Sequence, residues 1–231
     1  MVTGQADLPA DLVHYVARVL RLTAETQVCL MDGAGGMAQA ELLSVHKSGV
    51  RIQVGPVERE PRLGPQIELL QAVAKGDKMD QVVRQATELG VGTIRPVLSE
   101  RAVARQDKKL DRWRGIAEDA MRVTGRRWRP HIEAVQPLSD ALSQTEAELK
   151  LVLALDRAHS LRARLNESQP PCSFALLIGP EGGLTEPEVA QAEAAGFVPV
   201  HMGPHTLRTE TAGPAAAAII SFWAGGLGGA A

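Results

Sequence analysis

The sequence predicts an α/β protein in two parts, a small β-rich barrel followed by a larger domain with a mostly parallel sheet. Two observations predict this division. From Gln66 onward, short β-branched or apolar runs alternate with amphipathic helices, as is typical of βαβ units. Before that point, short apolar runs are separated by turn residues. The length of 231 residues fits one medium domain with a small companion.

The first part, residues 1–62, is predicted to contain one helix and a group of short strands. Apolar residues recur at helical spacing over Leu12–Leu20. The segment Asp32–Gly36 contains Asp-Gly followed by Gly-Gly and marks a hairpin. Pro56–Pro65 is the expected linker. The predicted strands are Thr26–Met31, Met37–Val45 and Gly49–Val54.

The second part, residues 66–231, is predicted to hold parallel strands joined by helices. The helix Asp77–Leu89 places its apolar residues on one face and ends at a glycine. The helix from about Asp107 to Val123 leaves its basic residues opposite its apolar face. Thr185 and Glu188 form a capping box that opens a further helix. The predicted strands are Ile67–Val73, Thr93–Leu98, His131–Val135, Leu151–Leu155, Phe174–Ile178 and Val198–Met202.

Composition argues against a secreted or membrane protein. Cys29 and Cys172 match no metal or redox spacing, so buried thiols in a reducing compartment are expected. No basic-then-apolar segment that would indicate a signal peptide is seen at the N-terminus. The uncharged tail 212–231 is strongly apolar only over Ala215–Ala224, which is too short for a membrane span. We therefore expect a cytoplasmic protein with no membrane partner and a buried terminal helix.

Charge is distributed unevenly along the chain. The formal net charge is −2, yet residues 101–130 hold ten Lys/Arg against four Asp/Glu, a local +6 that leaves −8 elsewhere. A basic stretch in an otherwise acidic protein suits a polyanion bound at one face. The same charges could form a solvated helix face, and charge alone leaves both interpretations open.

A glycine-rich loop, Gly179-Pro180-Glu181-Gly182-Gly183, lies between the strand Phe174–Ile178 and the next helix. Strand-to-helix junctions of this kind are where parallel α/β sheets bind ligands. Three glycines in five residues let the backbone approach a ligand closely. The pattern matches neither a dinucleotide fingerprint nor a P-loop. A purely structural turn stays open when this loop is judged alone.

A second unusual loop, Met202–Pro214, leads into the apolar terminal helix. The polar residues at 209–211 could be helix caps or ligand contacts. His201 and His205 have a metal-like spacing, but Gly203 and Pro204 prevent a helix between them and no third ligand is evident. No metal site is predicted.

Short blocks of residues in both loops match one known family. These blocks are Leu176–Gly183, Met202-Gly203 and Leu207–Ala212, with further matches at Arg18–Arg21, Lys75–Asp80, Ala86–Gly90 and Ser99–Arg101. In order and spacing they resemble the SPOUT methyltransferases that methylate N3 of a uridine in 16S ribosomal RNA, the RsmE family. The number of ordered blocks makes the resemblance highly specific.

The resemblance implies a fold, a cofactor and partners. It implies a PUA-like RNA-binding barrel at 1–62 and a SPOUT domain at 66–231, with a deep trefoil knot in about 151–231. It also implies a homodimer that uses S-adenosylmethionine and acts on 16S ribosomal RNA or the small ribosomal subunit. The cofactor-binding residues that it suggests are Leu155, Gly179, Pro180, Glu181, Gly182, Gly183, Met202, Gly203, Leu207 and Arg208.

Methyl transfer from a sulfonium requires that the acceptor nitrogen lie in line with the methyl group and lose its proton. The protein can therefore accelerate the reaction mainly by positioning the reactants and by electrostatic stabilisation. Arg208 is the leading catalytic candidate, as a contact to the phosphate of a flipped uridine or to the N3 anion. Glu181 and Glu210 are both candidates for the proton acceptor, although either could be a cap or an anchor. The expected RNA-binding residues are Arg18, Arg21, Arg101, Arg122, Arg126, Arg127 and Arg129.

The chain departs from the family pattern in three places. It lacks the usual Arg-Phe strand before Leu8, so either the barrel is incomplete or the assigned start of the chain is late. The segment Arg122–Arg126 stands where relatives have Glu-Gln-Ser-Gly-Arg, and His205 stands at a position that is often basic in relatives.

Two alternative functions stay open, a non-catalytic RNA-binding protein and a SPOUT enzyme acting on another RNA. The first alternative is opposed by the presence of the family's motif residues Gly182, Gly183, Arg208 and Glu210. The second cannot be tested by phosphate contacts, because these do not distinguish one RNA from another.

Overall fold

The computed structural model describes residues 1–62, 64–102, 109–154, 159–167 and 169–227. The chain divides into two compact units, Met1–Arg62 and Leu63–Ala231, each with its own hydrophobic core. None of the helices in these described ranges has both the length and the apolar character that crossing a membrane requires.

The first unit is an antiparallel sheet covered by a short helical segment. Within the described residues the strand order is β1-β4-β3-β2, with β5 beside β3. Side chains alternate in burial along β4, so that Val50, Ile52 and Val54 face the core, where Val13 and Val16 of the helical segment join them. The elements are β1 Gly4–Asp7, α1 Ala10–His14, a π-helix Tyr15–Val19, β2 Gln27–Met31, β3 Gly36–His46, β4 Gly49–Val54 and β5 Glu58–Arg59.

Strand β1 was not expected from the sequence. It pairs antiparallel with β4, with Gly4 opposite Val54 and Asp7 opposite Arg51. Three of its four residues are exposed, so no alternating apolar pattern marks it. Backbone pairing to β4 thus supplies a first strand without the Arg-Phe sequence whose absence before Leu8 suggested an incomplete barrel.

The prediction of buried thiols is also wrong. Cys29 and Cys172 are both free and exposed. Cys29 lies on β2, which is last in the strand order, where alternate side chains point away from the core. Cys172 lies just before a core strand, outside the buried run that begins at Phe174.

The second unit is built on a parallel sheet whose order, within the described residues, is β12-β10-β11-β6-β7-β8, with β9 also pairing with β7. The strands are β6 Gln66–Ala72, β7 Thr93–Leu98, β8 His131–Ile132, β9 Gln136–Pro137, β10 Leu149–Leu153, β11 Ser173–Ile178 and β12 Phe197–Val200. The helices are α2 Lys78–Glu88, α3 Leu110–Thr124, α4 Leu138–Gln144, α5 Leu161–Leu165, α6 Glu186–Ala194 and α7 Thr209–Trp223.

Helices cover both faces of this sheet, which explains why its central strands are apolar runs without alternation. Leu69 of β6 packs into a core with Met79 of α2 and Trp113 of α3. On the opposite face, Leu70 packs with Leu138 of α4 and with α6. Because β10, β11, β12 and β6 are parallel neighbours, their carboxyl ends lie at one edge of the sheet.

Helix α7 packs against α2, β6 and β11. The prediction of a buried terminal helix is confirmed for one face of α7 and wrong for the other. Ala216, Ala217 and Ile220 are fully buried, whereas Ile219 and Phe222 are 44% and 71% exposed. The exposed face therefore presents apolar side chains to solvent, although the whole segment is uncharged after Glu210.

Candidate functional site

A cavity of about 440 Å³ opens where the end of β10 and the loops after β11 and β12 meet the first turn of α7. Its wall contains eight of the residues that the sequence analysis assigned to the cofactor: Gly179, Pro180, Glu181, Gly182, Gly183, Met202, Leu207 and Arg208. Gly203 is adjacent to the wall and donates its N–H to Nδ1 of His201 at 3.2 Å. Leu155 lies outside the described residues.

The loop after β11 has a shape that requires its glycines. A Cβ on Gly179 would lie 2.9 Å from the backbone nitrogen of Leu184, so a side chain there would collide with the returning chain. Gly183 has φ +72, in the left-handed region that favours glycine. Its N–H donates to the carbonyl of Pro180 at 2.9 Å and closes a tight turn. The cavity wall is therefore largely backbone along this loop.

Glu181 connects this loop to the start of α2. Its Oε1 accepts hydrogen bonds from Lys78 Nζ at 2.8 Å and from the backbone N–H of Lys75 at 3.0 Å. Burial by itself would raise the pKa of Glu181, but these bonds and one from its own N–H outweigh burial and lower the pKa below its usual value. Glu181 is thus a carboxylate already engaged by protein donors.

Glu210, in the first turn of α7, has a different environment. Its side chain is 12% exposed and lies 4.0 Å from both Lys78 Nζ and Arg208 Nη1. Its Oε2 is buried and accepts no hydrogen bond from the described part of the chain. A buried acceptor without a donor is costly, so this oxygen is available to a ligand. Arg208 is 84% exposed and places a cation at the rim.

Arg101 contacts the same loop from another segment. Its Nη1 donates to the carbonyl of Gly182 at 2.7 Å, and its Cδ would lie 3.2 Å from a Cβ on Gly182. Nearby, the N–H of Glu100 donates to Glu188 at 2.6 Å, at the start of α6. In the structure Arg101 holds the glycine loop by this hydrogen bond, and its predicted contact with RNA stays a prediction.

The basic stretch around α3 is more engaged in protein contacts than its charge suggests. Arg122 pairs with Asp119, and Arg129 Nη1 lies 2.8 Å from Glu118. Arg126 donates from Nε to the carbonyl of Glu88 at 2.9 Å and so caps the end of α2. Arg127 is partly buried, while Arg18 and Arg21 are exposed in the first unit.

Lys78 and Thr209 lie in the site, although neither was among the predicted cofactor-binding or catalytic residues. Lys78 belongs to a block that carried the family resemblance, and for Thr209 a helix cap and a ligand contact were both left open. In the structure both line the cavity, and the hydroxyl of Thr209 donates to the carbonyl of Gly179 at 2.7 Å. The available signal was topological, because the block at Lys75–Asp80 follows β6, whose carboxyl end lies beside that of β11.

Two family models match the chain. A model described as an RNA methyltransferase domain matches residues 61–221, and one described as an RNA methyltransferase PUA domain matches residues 8–55. These matches agree with the α/β unit that carries the cavity and with the preceding β-rich unit.

Individual relatives agree with the models over nearly the whole chain. The chain is 32% identical to ribosomal RNA small subunit methyltransferase E of Synechocystis sp., over 96% of this chain and 74% of the relative. It is also 32% identical to the enzyme of that name from Bacillus subtilis, over 93% and 89%. The crystal structure of this enzyme from Neisseria gonorrhoeae, bound to S-adenosyl methionine, superposes with a TM-score of 0.88 at 33% identity, covering 96% of this chain and 93% of the other. The resemblance found in the sequence is confirmed, and the chain belongs to the ribosomal RNA small subunit methyltransferase E family.

Proposed function

We propose that this enzyme transfers the methyl group of S-adenosylmethionine to N3 of a specific uridine in the 16S ribosomal RNA of the small subunit. One observation carries the proposal. The cavity at the sheet edge combines a glycine-lined wall, a buried carboxylate with an unused acceptor and an exposed arginine at its rim. The Neisseria relative, solved with S-adenosyl methionine, supports the choice of cofactor.

The residues of the cavity fit this cofactor. A volume of about 440 Å³ lies within the range of small-molecule sites. Apolar residues such as Leu153 and Ile178 provide a surface for an aromatic base, and the glycines expose backbone groups. The buried Oε2 of Glu210 accepts no hydrogen bond from the described residues, so it is open to a donor on a molecule bound in the cavity. Bound S-adenosylmethionine supplies an electrophilic methyl group on a positively charged sulfur.

The protein has to place the uridine nitrogen in line with that methyl group and accept its proton. Arg208 is proposed to contact the nucleotide phosphate or the N3 anion, because its guanidinium is exposed at the cavity rim. Of the two candidate proton acceptors, Glu210 is favoured over Glu181. The Oε2 of Glu210 accepts no hydrogen bond from the described residues and lies 4.0 Å from Lys78 Nζ, whereas Glu181 accepts a hydrogen bond from Lys78 at 2.8 Å.

The two units are proposed to have different roles, RNA binding for the first and methyl transfer for the second. Residues 1–62 would bind RNA as a PUA-like barrel, with Arg18 and Arg21 as contacts, and residues 66–231 would form the methyltransferase domain. The matches of the PUA and methyltransferase models to these regions support this division. The deep trefoil knot in about 151–231 and the cytoplasmic location are further parts of the proposal.

A homodimer is proposed as the working form. The exposed apolar residues of α7, Ile219 and Phe222, lie beside Trp223 and Leu165 of α5 on one surface. Contiguous exposed apolar side chains of this kind mark interaction surfaces. A second copy of the chain would remove them from water.

Methyl transfer in vitro tests the proposal directly. The purified enzyme is incubated with S-adenosylmethionine carrying a labelled methyl group and with unmodified small ribosomal subunits, and the RNA is then digested to nucleosides for mass spectrometry. We expect label in 3-methyluridine from 16S RNA alone. Label in transfer RNA, or on another atom of the base, would contradict the substrate assignment, and absence of transfer to every RNA would contradict the activity.

A further inference from the structure

Strand β6 carries a glutamine behind the cavity wall for which the proposed mechanism has no use. The side chain of Gln71 is fully buried and does not line the cavity. Its Nε2 donates to the carbonyl of Ala72 at 3.1 Å and to Oγ1 of Thr209 at 2.9 Å. Thr209 does line the cavity, so this glutamine lies one hydrogen bond away from the site.

The hydrogen bonds around Gln71 have a fixed direction. A carbonyl only accepts, so the contact with Ala72 requires that the amide nitrogen, and not the amide oxygen, faces this side. The other hydrogen of the amide is then donated to Thr209. Because the Thr209 hydroxyl accepts from Gln71, its own proton is free for the carbonyl of Gly179, 2.7 Å away.

The carbonyl of Gly179 is the group that this chain of bonds fixes. The following residue, Pro180, has no N–H, so the carbonyl is the sole hydrogen-bonding group of that peptide unit. Gly179 directly follows Ile178, the last residue of β11, and begins the glycine-lined wall. Fixing this carbonyl therefore sets the direction in which the loop leaves the sheet.

Two features at the contact between β6 and α7 lower the stability of the fold. Oε1 of Gln71 is buried and has no hydrogen-bond partner among the described residues, which an apolar side chain of the same length would avoid. Gly213 interrupts the interior of α7, where glycine is unfavourable by roughly 1 kcal/mol relative to alanine. A Cβ on Gly213 would lie 3.2 Å from that same Oε1. The same Cβ would lie 3.2 Å from Cδ1 of Leu69, so close packing accounts for the glycine but not for the glutamine.

We infer that Gln71 is a positioning residue for the cofactor site, which acts through Thr209 on the carbonyl of Gly179. The inference rests on the proposed binding of S-adenosylmethionine in this cavity. Gln71 touches neither cofactor nor RNA. Its role is to orient the hydroxyl that holds the cavity wall in its binding geometry.

A double-mutant cycle in the full chain tests this role, with calorimetric binding of S-adenosylmethionine as the readout. Gln71→Met keeps the volume and removes both polar atoms; we expect it to weaken binding by about five-fold, the effect of one hydrogen bond. Thr209→Val should weaken binding at least as much. Because both act on one carbonyl, Gln71→Met should add little when Thr209 is already Val. Thr209→Ser keeps the hydroxyl and should restore most of the affinity.

Thr87→Val is the matched control, because Thr87 is equally buried and donates to the carbonyl of Val83 at 2.7 Å away from the cavity. It should lower the melting temperature without changing affinity. A Gln71→Met protein that melts lower but binds the cofactor as tightly as wild type would overturn the inference, as would additive effects of the two substitutions. If Gln71→Met does not fold, Gln71→Asn, whose amide is too short to reach Thr209, replaces it in the cycle. A wild-type chain that does not bind S-adenosylmethionine would instead overturn the proposed cofactor, and the inference with it.

Discussion

Arg208 and Glu210 are separated by one residue at the start of α7, yet they have opposite surroundings. The side chain of Arg208 is 84% exposed, whereas that of Glu210 is 12% exposed. Their closest polar atoms are 4.0 Å apart, which is an ion pair without a hydrogen bond. A pair that is exposed at one end contributes little to stability. Arg208 is therefore free to turn toward a nucleotide, while Glu210 stays part of the cavity wall.

The first prediction concerns Arg208. Arg208→Ala should leave the affinity for S-adenosylmethionine within a few-fold of wild type and reduce the single-turnover methylation rate by about 100-fold, the usual effect of losing an electrostatic stabiliser. Arg208→Lys should restore little, because an ammonium cannot make a bidentate contact. If the melting temperature and the cofactor affinity fall together instead, Arg208 has a structural role through Glu210.

The second prediction concerns Glu181 and pH. Because the folded state lowers its pKa, the charged carboxylate stabilises the fold, and this contribution is complete above the pKa of an unfolded glutamate, about 4.3. It is lost as pH falls through the lower pKa of the folded state. Denaturant midpoints should therefore separate wild type from Glu181→Gln at pH 7 and converge toward pH 3. Lys78→Met should reproduce most of the separation. A separation that does not change with pH would contradict the ion pair.

At the scale of elements, the sequence was most informative where a segment's own residues determine its structure. The six strands predicted in the second part are all present, with ends shifted by a few residues, because strands buried on both faces are apolar throughout. Strand β9 and helices α4 and α5 were not predicted. The strand is two residues long and the helices are five to seven, so they show too few periods to be recognised.

The parts of the site that could be predicted from the sequence are those formed by one continuous segment. The glycine loop is continuous in the chain, and its composition alone indicated a ligand. The contacts of Glu181 with Lys78 and of Thr209 with Gln71 join residues 103 and 138 positions apart. The first depends on the pairing of β11 with β6 and the second on the packing of α7 against β6, and periodicity reveals neither arrangement.

The third prediction concerns the basic stretch at the end of α3. Replacing Arg122, Arg127 and Arg129 with Gln should weaken RNA binding and reduce the slope of log affinity against log salt, by about 0.7 to 0.9 for each phosphate that is no longer neutralised. Arg126→Gln alone should mainly lower the melting temperature, because this side chain caps α2. An unchanged salt slope in the triple variant would show that this face is only solvated.

At the scale of the whole molecule, the exposed apolar surface of α7 leads to the fourth prediction. Phe222 is 71% exposed, so Phe222→Glu should leave the fold of the monomer intact and place a charge where a second copy would pack. In analytical ultracentrifugation we expect wild type to sediment as a dimer and the variant mainly as a monomer at the same concentration. Glu193→Gln, an exposed change on α6, serves as the control and should remain dimeric. A wild-type monomer would contradict the proposed assembly.

The measurement that tests the central claim most directly is primer extension across the 16S RNA of cells that lack this enzyme. A methyl group on N3 of uridine blocks the base-pairing edge, so reverse transcriptase stops next to the modified base. We predict one stop in wild-type cells, its loss in the deletion strain, and its return when the intact gene is supplied but not when Arg208→Ala is supplied. A 16S stop pattern identical with and without the enzyme would contradict the claim.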